Sequence, residues 1–190
     1  MLLTLPYNRE RCFLYAKRWA FARNPLFNDY SPYGGNCTNF ASQCLLAGCL
    51  AMNFEPVFGW FYRSDSDRAA AWTGVPFFYR FLTENEGEGP FATERDALEI
   101  GDFIQLGREE GDFYHTLIVV GFDKGEYLVA AHSEDAFLRP LSEYNYDRAR
   151  FLHIEGVRVE SDDGAALFRS LIEGTALPGM LSLRYNSTEM

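Results

Sequence analysis

The chain has 190 residues, 47% of them hydrophobic and 16% aromatic, which is ample material for the core of one domain. Its net charge of −10 argues against nonspecific binding to nucleic acid or to an anionic membrane surface, since both need a basic patch. No stretch reaches the ~20 apolar residues of a spanning helix, so no membrane insertion is expected.

In chain order, Tyr7 to Arg23 predicts a helix with an apolar stripe of Cys12, Tyr15/Ala16, Trp19 and Ala22, closed by Asn24-Pro25. An aromatic, turn-rich loop follows from Leu26 to Tyr33. Gly34-Gly35 then break the chain before Asn36, an expected N-cap, and a second helix runs from Cys37 to a left-handed stop at Gly48. Leu50 to Asp67 is a long loop rich in rings, Trp60 among them. It either walls a substrate groove or folds over the core. Thr73 caps a helix to about Asn85, with Pro76 in its first turn. Glu86-Gly87-Glu88-Gly89-Pro90 is the best internal boundary.

From Ile100 the apolar period changes to two. Strands are expected over Phe103–Leu106, Tyr114–Phe122, Tyr127–His132 and Phe151–Val159, with Asp123-Lys124-Gly125 as a hairpin turn and Leu141–Arg148 as loop. The fold class is therefore α+β, with N-terminal helices packed on an antiparallel sheet. Residues 1–160 form one domain. Residues 161–190 are expected to form a C-terminal helix, starting near Gly164, and a tail from Thr175, both docked on the same domain.

Four cysteines, Cys12, Cys37, Cys44 and Cys49, form no CxxC pair, so no zinc ribbon is expected. Reduced thiols point to a reducing, cytoplasmic compartment. The apolar run at Met1-Leu2-Leu3 is too short for a signal peptide, and a secreted or cell-wall role would need a leader removed from the chain.

The chemistry centres on Cys37. In the first turn of a helix, unpaired N–H groups and the helix dipole favour a thiolate, the nucleophilic form. The plain alternative is one more small buried residue. His115 opens one expected strand and His132 closes the next, at the same end of a hairpin. An even-length turn would put both rings on one face, and an odd one would turn them apart. On one face, His115 can be the base for Cys37 and His132 its orienting group, with Glu134 and Asp135 as rivals to His132. Backbone N–H groups at the helix start can hold an oxyanion. His153 reads as structural. Tyr30, Asn36, Trp60 and Trp72 are the candidate substrate contacts. No metal or organic cofactor is needed, and a zinc site at Cys37/His115/His132 lacks the close ligand spacing of most structural sites.

The block Asn36-Cys37-Thr38-Asn39-Phe40-Ala41-Ser42-Gln43-Cys44-Leu45-Leu46-Ala47-Gly48 resembles the signature of the bacterial putative amidase domain family, relatives of the papain-like NlpC/P60 and CHAP domains. The resemblance extends to Tyr15–Ala20, Arg23-Asn24-Pro25, Trp72-Thr73, Gly101–Leu106 and His115–Val119, covering roughly residues 7 to 155. It implies a papain-like fold with Cys37 as nucleophile, His115 as general base and His132 in the third position. One departure is Asn36, where the family usually carries Asp. The implied function is hydrolysis of an amide or peptide bond through a thioester. Small peptides or peptidoglycan fragments are the implied substrates. An acyltransferase on the same residues and a non-catalytic binding module are the alternatives.

Overall fold

The computed structural model describes residues 2–159 and 165–175. Helix α1 (Arg9–Trp19) buries Cys12, Tyr15, Ala16 and Trp19, one stripe at helical spacing. It is shorter than the expected 7–23 span: Asn8 caps its start, accepting from Arg11 N, and it closes at Ala20. Helix α2 (Cys37–Cys49) is buried at every position, as befits the central helix of a core. It ends not at Gly48 but at Leu50, which takes the left-handed conformation itself (φ 53°). Gly48 serves a different need: a Cβ there would lie 2.2 Å from Tyr7 Cε2. Helix α3 (Ala70–Thr73) uses Thr73 as its last residue, so Gly74 rather than Thr73 precedes helix α4 (Val75–Glu84).

The strands are β1 (Leu3–Leu5), β2 (Gly89–Glu94), β3 (Phe103–Gly107), β4 (Phe113–Asp123), β5 (Glu126–Ala131), β6 (Ala136–Pro140) and β7 (Arg148–Val159). They form one sheet in the order β1-β7-β3-β4-β5-β6, with β2 also paired to β7 and every pairing antiparallel. The expected boundary at 86–90 is not one. Gly89 and Pro90 begin β2 and pair with Arg158 and Val157 of β7, which ties the helical half to the sheet.

The helices lie on one face of the sheet. Their core joins Tyr15, Phe40, Leu45, Trp60, Trp72 and Phe78 to Phe103, Ile118, Val120, Ala130 and Leu152 of the strands. The opposite face carries a smaller core of Ile104, Leu106, Leu117, Val119, Val129, Ala131 and Leu141. Alternation along each strand divides its residues between the two.

Asp102 pins the sheet to α1. Its buried carboxylate accepts from Arg9 Nη1 at 2.6 Å, Glu99 N at 2.8 Å and Ile154 N at 2.9 Å, with His153 Nδ1 at 2.8 Å. Multiple donors compensate a buried charge. Helix α5 (Ala165–Glu173) docks on α1: Leu171 O accepts from Trp19 Nε1 and Asn24 Nδ2, each at 3.1 Å. The rest of the expected tail, residues 176–190, lies outside the described residues.

Candidate active site at the start of helix α2

Asn36 does not cap α2 with its side chain. Its Oδ1 accepts from Tyr30 N (3.0 Å) and Asn39 Nδ2 (2.8 Å), so its Nδ2 is the group facing His132 Nδ1 at 2.8 Å. Its backbone N–H donates to Ser133 Oγ at 2.7 Å. Ser133 reaches that position from a left-handed conformation, φ 82°. The helix start is thus strapped to the end of β5. Among the described residues, the backbone N–H groups of Cys37, Thr38 and Asn39 have no acceptor; the first bond of the helix runs from Phe40 N to Asn36 O. Cys37 sits at this open end, 8% exposed, with Sγ 3.8 Å from Thr38 Oγ1.

All four cysteines are free. Burial pushes the Cys12 thiol up to about 12 and the Cys44 thiol upward as well, so both stay protonated.

His132 lies on the α2 face, its ring stacked on Phe40 at 3.8 Å and 8°. Both nitrogens are engaged. Nε2 is 2.9 Å from Trp19 O, a pure acceptor, so the proton sits on Nε2 and Nδ1 accepts from Asn36. Burial lowers its pKa to about 4, against the raising effect of the Trp19 carbonyl and with the Arg23 cation adding to the fall. His132 is a neutral strut between α1, α2 and β5.

His115 lies elsewhere. The β4–β5 turn is the even one, Lys124-Gly125, with both φ positive (49° and 86°) and Asp123 opposite Glu126. That register would have put His115 and His132 on one face. A bulge between Val119 and Gly121 then shifts the pairing by one residue, giving Val119 opposite Val129 and Ile118 opposite Ala130. A one-residue shift exchanges the faces. Thr116, not His115, therefore shares the α2 face with His132, and its Oγ1 is 3.0 Å from Thr38 Oγ1. His115 pairs with Leu106 and points into the smaller core, its ring 5.8 Å from Tyr144. Burial lowers its pKa to about 4, opposed by Glu134 and assisted by Arg139. No hydrogen bond joins Cys37 Sγ to either histidine among the described residues. The expected Cys37–His115–His132 constellation is thus not assembled. The rivals are also occupied: Glu134 pairs with Arg139 at 3.0 Å and Asp135 with Arg23 at 2.9 Å.

The aromatic candidates need correction too. Trp60 and Trp72 are wholly buried and offer no ring to a substrate. Trp60 Nε1 donates to Ser42 Oγ at 3.0 Å, and Trp72 Nε1 to Asn39 Oδ1 at 2.8 Å. The ring-rich loop folds over the core, where its Trp60 indole finds a polar partner on α2, and Trp72 of α3 finds another. Replacing Trp60 by Phe should lower stability by about 1–2 kcal/mol through the lost hydrogen bond, measured by urea unfolding, with no change in any substrate KM. Tyr30 is 8% exposed, its hydroxyl 2.8 Å from Asp65 Oδ1 and Arg68 stacked 4.6 Å over its ring. Asn36 is 1% exposed and acts as the strap described above.

Three residues not among the expected site residues lie next to Cys37 or in line with it. Thr38, Thr116 and Gln105 form a buried polar line beside Cys37. The one available signal was Gln105, a polar residue inside the apolar run Phe103-Ile104-Gln105-Leu106.

Residues 6–154 match the family described as "Putative amidase domain". The chain belongs to this family. Among curated proteins, this amidase-domain chain is similar to "Uncharacterized protein YhbB" of Bacillus subtilis (strain 168), 34% identical over 139 residues. The match covers 70% of this chain and 43% of that protein, so the chain spans less than half the length of that relative. No solved structure matches it. Among the described residues, no group of three or more His, Cys, Asp or Glu side chains is placed to hold a metal ion, and no helix is long and apolar enough to cross a membrane.

Proposed function

We propose that the protein hydrolyses an amide or peptide bond through a Cys37 thioester, on a papain-like arrangement of α2 against the sheet. The observation that carries this reading is the open start of α2 in an amidase-domain chain: three unpaired N–H groups converge where Cys37 stands. Such donors stabilise a thiolate in the ground state and an oxyanion in the transition state. Competing thiols at Cys12 and Cys44 are held protonated by burial.

In this reading the thiol proton of Cys37 passes to a neutral imidazole, and Sγ attacks the carbonyl carbon. The tetrahedral oxyanion rests on the N–H groups of α2. The amine leaves with the proton from the imidazole, and a thioester remains. Water, deprotonated by the same imidazole, releases the acid and restores the thiol. His115 fits this role better than His132, because its nitrogens make no hydrogen bond among the described residues, whereas both nitrogens of His132 are committed. It must reach the α2 face from the end of β4, where a second irregularity separates the Leu106–His115 pair from Gly107–Phe113. Catalytic hydrogen bonds commonly form only with substrate bound.

Short peptides and peptidoglycan stem peptides are the proposed substrates. A second reading, a module that binds such peptides without cleaving them, draws on the separation of Cys37 from His115 by the sheet. Both are tested by incubating the wild type and Cys37→Ser with a panel of short peptides and muropeptides and following products by mass spectrometry. The hydrolase reading expects new acid and amine termini with the wild type and none with Cys37→Ser. Binding of a panel member with no cleavage by the wild type would establish the second reading.

A further inference from the structure

We propose that Arg150, Gln105, Thr116 and Thr38 form a one-directional hydrogen-bond relay that ends as a donor to Cys37 Sγ, making them positioning residues for the thiolate. The proposal rests on Cys37 being the nucleophile.

The direction follows from groups that can act in only one sense. Arg150 has donors alone, and its Nε and Nη2 lie 2.8 and 2.5 Å from the same oxygen of Gln105. That fixes Oε1 of Gln105 toward Arg150. The opposite side of the amide agrees: Nε2 is 3.0 Å from the carbonyl of Val75, which only accepts. The second hydrogen of Nε2 goes to Thr116 Oγ1 at 3.1 Å. Thr116 therefore accepts from Gln105 and turns its own O–H toward Thr38 Oγ1, 3.0 Å away. Thr38 accepts there, so its O–H is directed to its remaining neighbour, Cys37 Sγ, at 3.8 Å. Reversing the Gln105–Thr116 link would misalign Gln105 with both Arg150 and Val75, and reversing the Thr116–Thr38 link would leave the buried Thr116 O–H without an acceptor.

The relay is also built to hold its shape. Gln105 and Thr116 are fully buried, and Thr38 is 1% exposed. The Arg150 guanidinium is held between two rings, 3.5 Å from the centre of Tyr79 and 4.0 Å from that of Phe113. Each bond polarises the next, which strengthens the final donor. A donor to a sulfur favours its charged form.

The test is the pH dependence of Cys37 alkylation by iodoacetamide, read residue by residue by peptide mass spectrometry on the full chain. Thr38→Val and Thr116→Val should each slow labelling of Cys37 at pH 7 about tenfold and move the inflection of the rate–pH profile upward by about one pH unit. Thr116→Ser, which keeps the hydroxyl, should retain the wild-type profile. Gln105→Glu is the sharper variant. It can still accept from Arg150 but cannot donate, so the Thr116 hydroxyl turns to it, the chain reverses and Cys37 loses its donor. Its profile should move in the same direction as Thr116→Val, and this holds as a separate measurement if a valine variant fails to fold. A merely structural role would change the unfolding midpoint without moving the profile. Folded Val and Glu variants with the wild-type profile would overturn the relay alone. Labelling of Cys12, Cys44 or Cys49 in place of Cys37 would overturn the nucleophile assignment instead, whatever the variants do.

Discussion

Replacing His132 by Ala should lower the unfolding free energy by about 3 kcal/mol, and replacing His115 by Ala should cost much less, about 1 kcal/mol, while removing turnover. The two histidines look alike in the sequence and differ in what their atoms touch. His132→Ala orphans the buried Asn36 Nδ2, at about 1–3 kcal/mol, and removes one of two donors to the Trp19 carbonyl, which keeps Ala22 N at 3.1 Å. It also opens a cavity over Phe40, where the stacked ring had been. His115 makes no hydrogen bond among the described residues and is only half-buried, so its truncation leaves no buried group unpaired. Its proposed contribution is general base catalysis, typically about 10²–10⁴-fold in rate. Urea unfolding at pH 7.5 and peptide turnover, measured on both variants, separate the roles. A His115→Ala enzyme with wild-type turnover would remove it from the mechanism.

The low pKa that burial gives both histidines has a pH signature. In the folded chain the His132 pKa is lowered to about 4, whereas the unfolded imidazole takes a proton near its usual 6.5. Between these values the unfolded state binds a proton that the folded state refuses, so the stability present above pH 6.5 is lost as pH falls toward 4. The loss from this one group is about 3 kcal/mol. That share should be absent in His132→Ala, which keeps the loss that His115 contributes in the same window.

What the sequence made legible were the long patterned elements. The stripes at Cys12/Tyr15/Ala16/Trp19 and Phe78/Phe81/Leu82 placed α1 and α4, and the alternation after Ile100 placed β3, β4, β5 and β7. The strands it hid are short or disguised. β1 has only three residues, β6 begins within a turn-rich stretch, and β2 starts on Gly89-Pro90, a pair that reads as loop. The larger miss was one residue wide. Val119, Val120 and Gly121 all fit a regular strand, so nothing in their types announces the bulge. Yet that bulge decides which of His115 and Thr116 faces Cys37. Register is a property of the paired strands together, and a hairpin turn fixes it only as far as the first irregularity. Asn36 was misread for a related reason. A capping propensity says that a side chain can accept a bond, and here Tyr30 N and Asn39 Nδ2 reached it first.

Asn36→Asp should invert the protonation of His132, moving its pKa from about 4 to above its ordinary value of 6.5. The substitution is nearly isosteric and restores the residue expected from the family resemblance. One carboxylate oxygen can still accept from Tyr30 N and Asn39 Nδ2 at their present distances of 3.0 and 2.8 Å. The other replaces Nδ2, 2.8 Å from His132 Nδ1, and there an acceptor meets an acceptor unless the ring takes a second proton. The imidazolium would donate through Nδ1 to the new carboxylate and through Nε2 to the Trp19 carbonyl, satisfying both. Arg23, 3.2 Å from Nε2, opposes the added charge, but it is already paired with Asp135 at 2.9 Å. Two-dimensional NMR of the imidazole resonances across pH 4–8 reads the change directly. The slope of stability with pH should reverse sign: the folded state then binds a proton the unfolded state has given up, so stability is full below 6.5 and declines as pH rises through the new pKa. Because the imidazolium balances the carboxylate introduced beside Cys37, the alkylation profile of the thiol should move little. A His132 resonance that still titrates below pH 5 in Asn36→Asp would show that burial outweighs the paired charge, and that the polar strap at the start of α2 tolerates only a neutral ring.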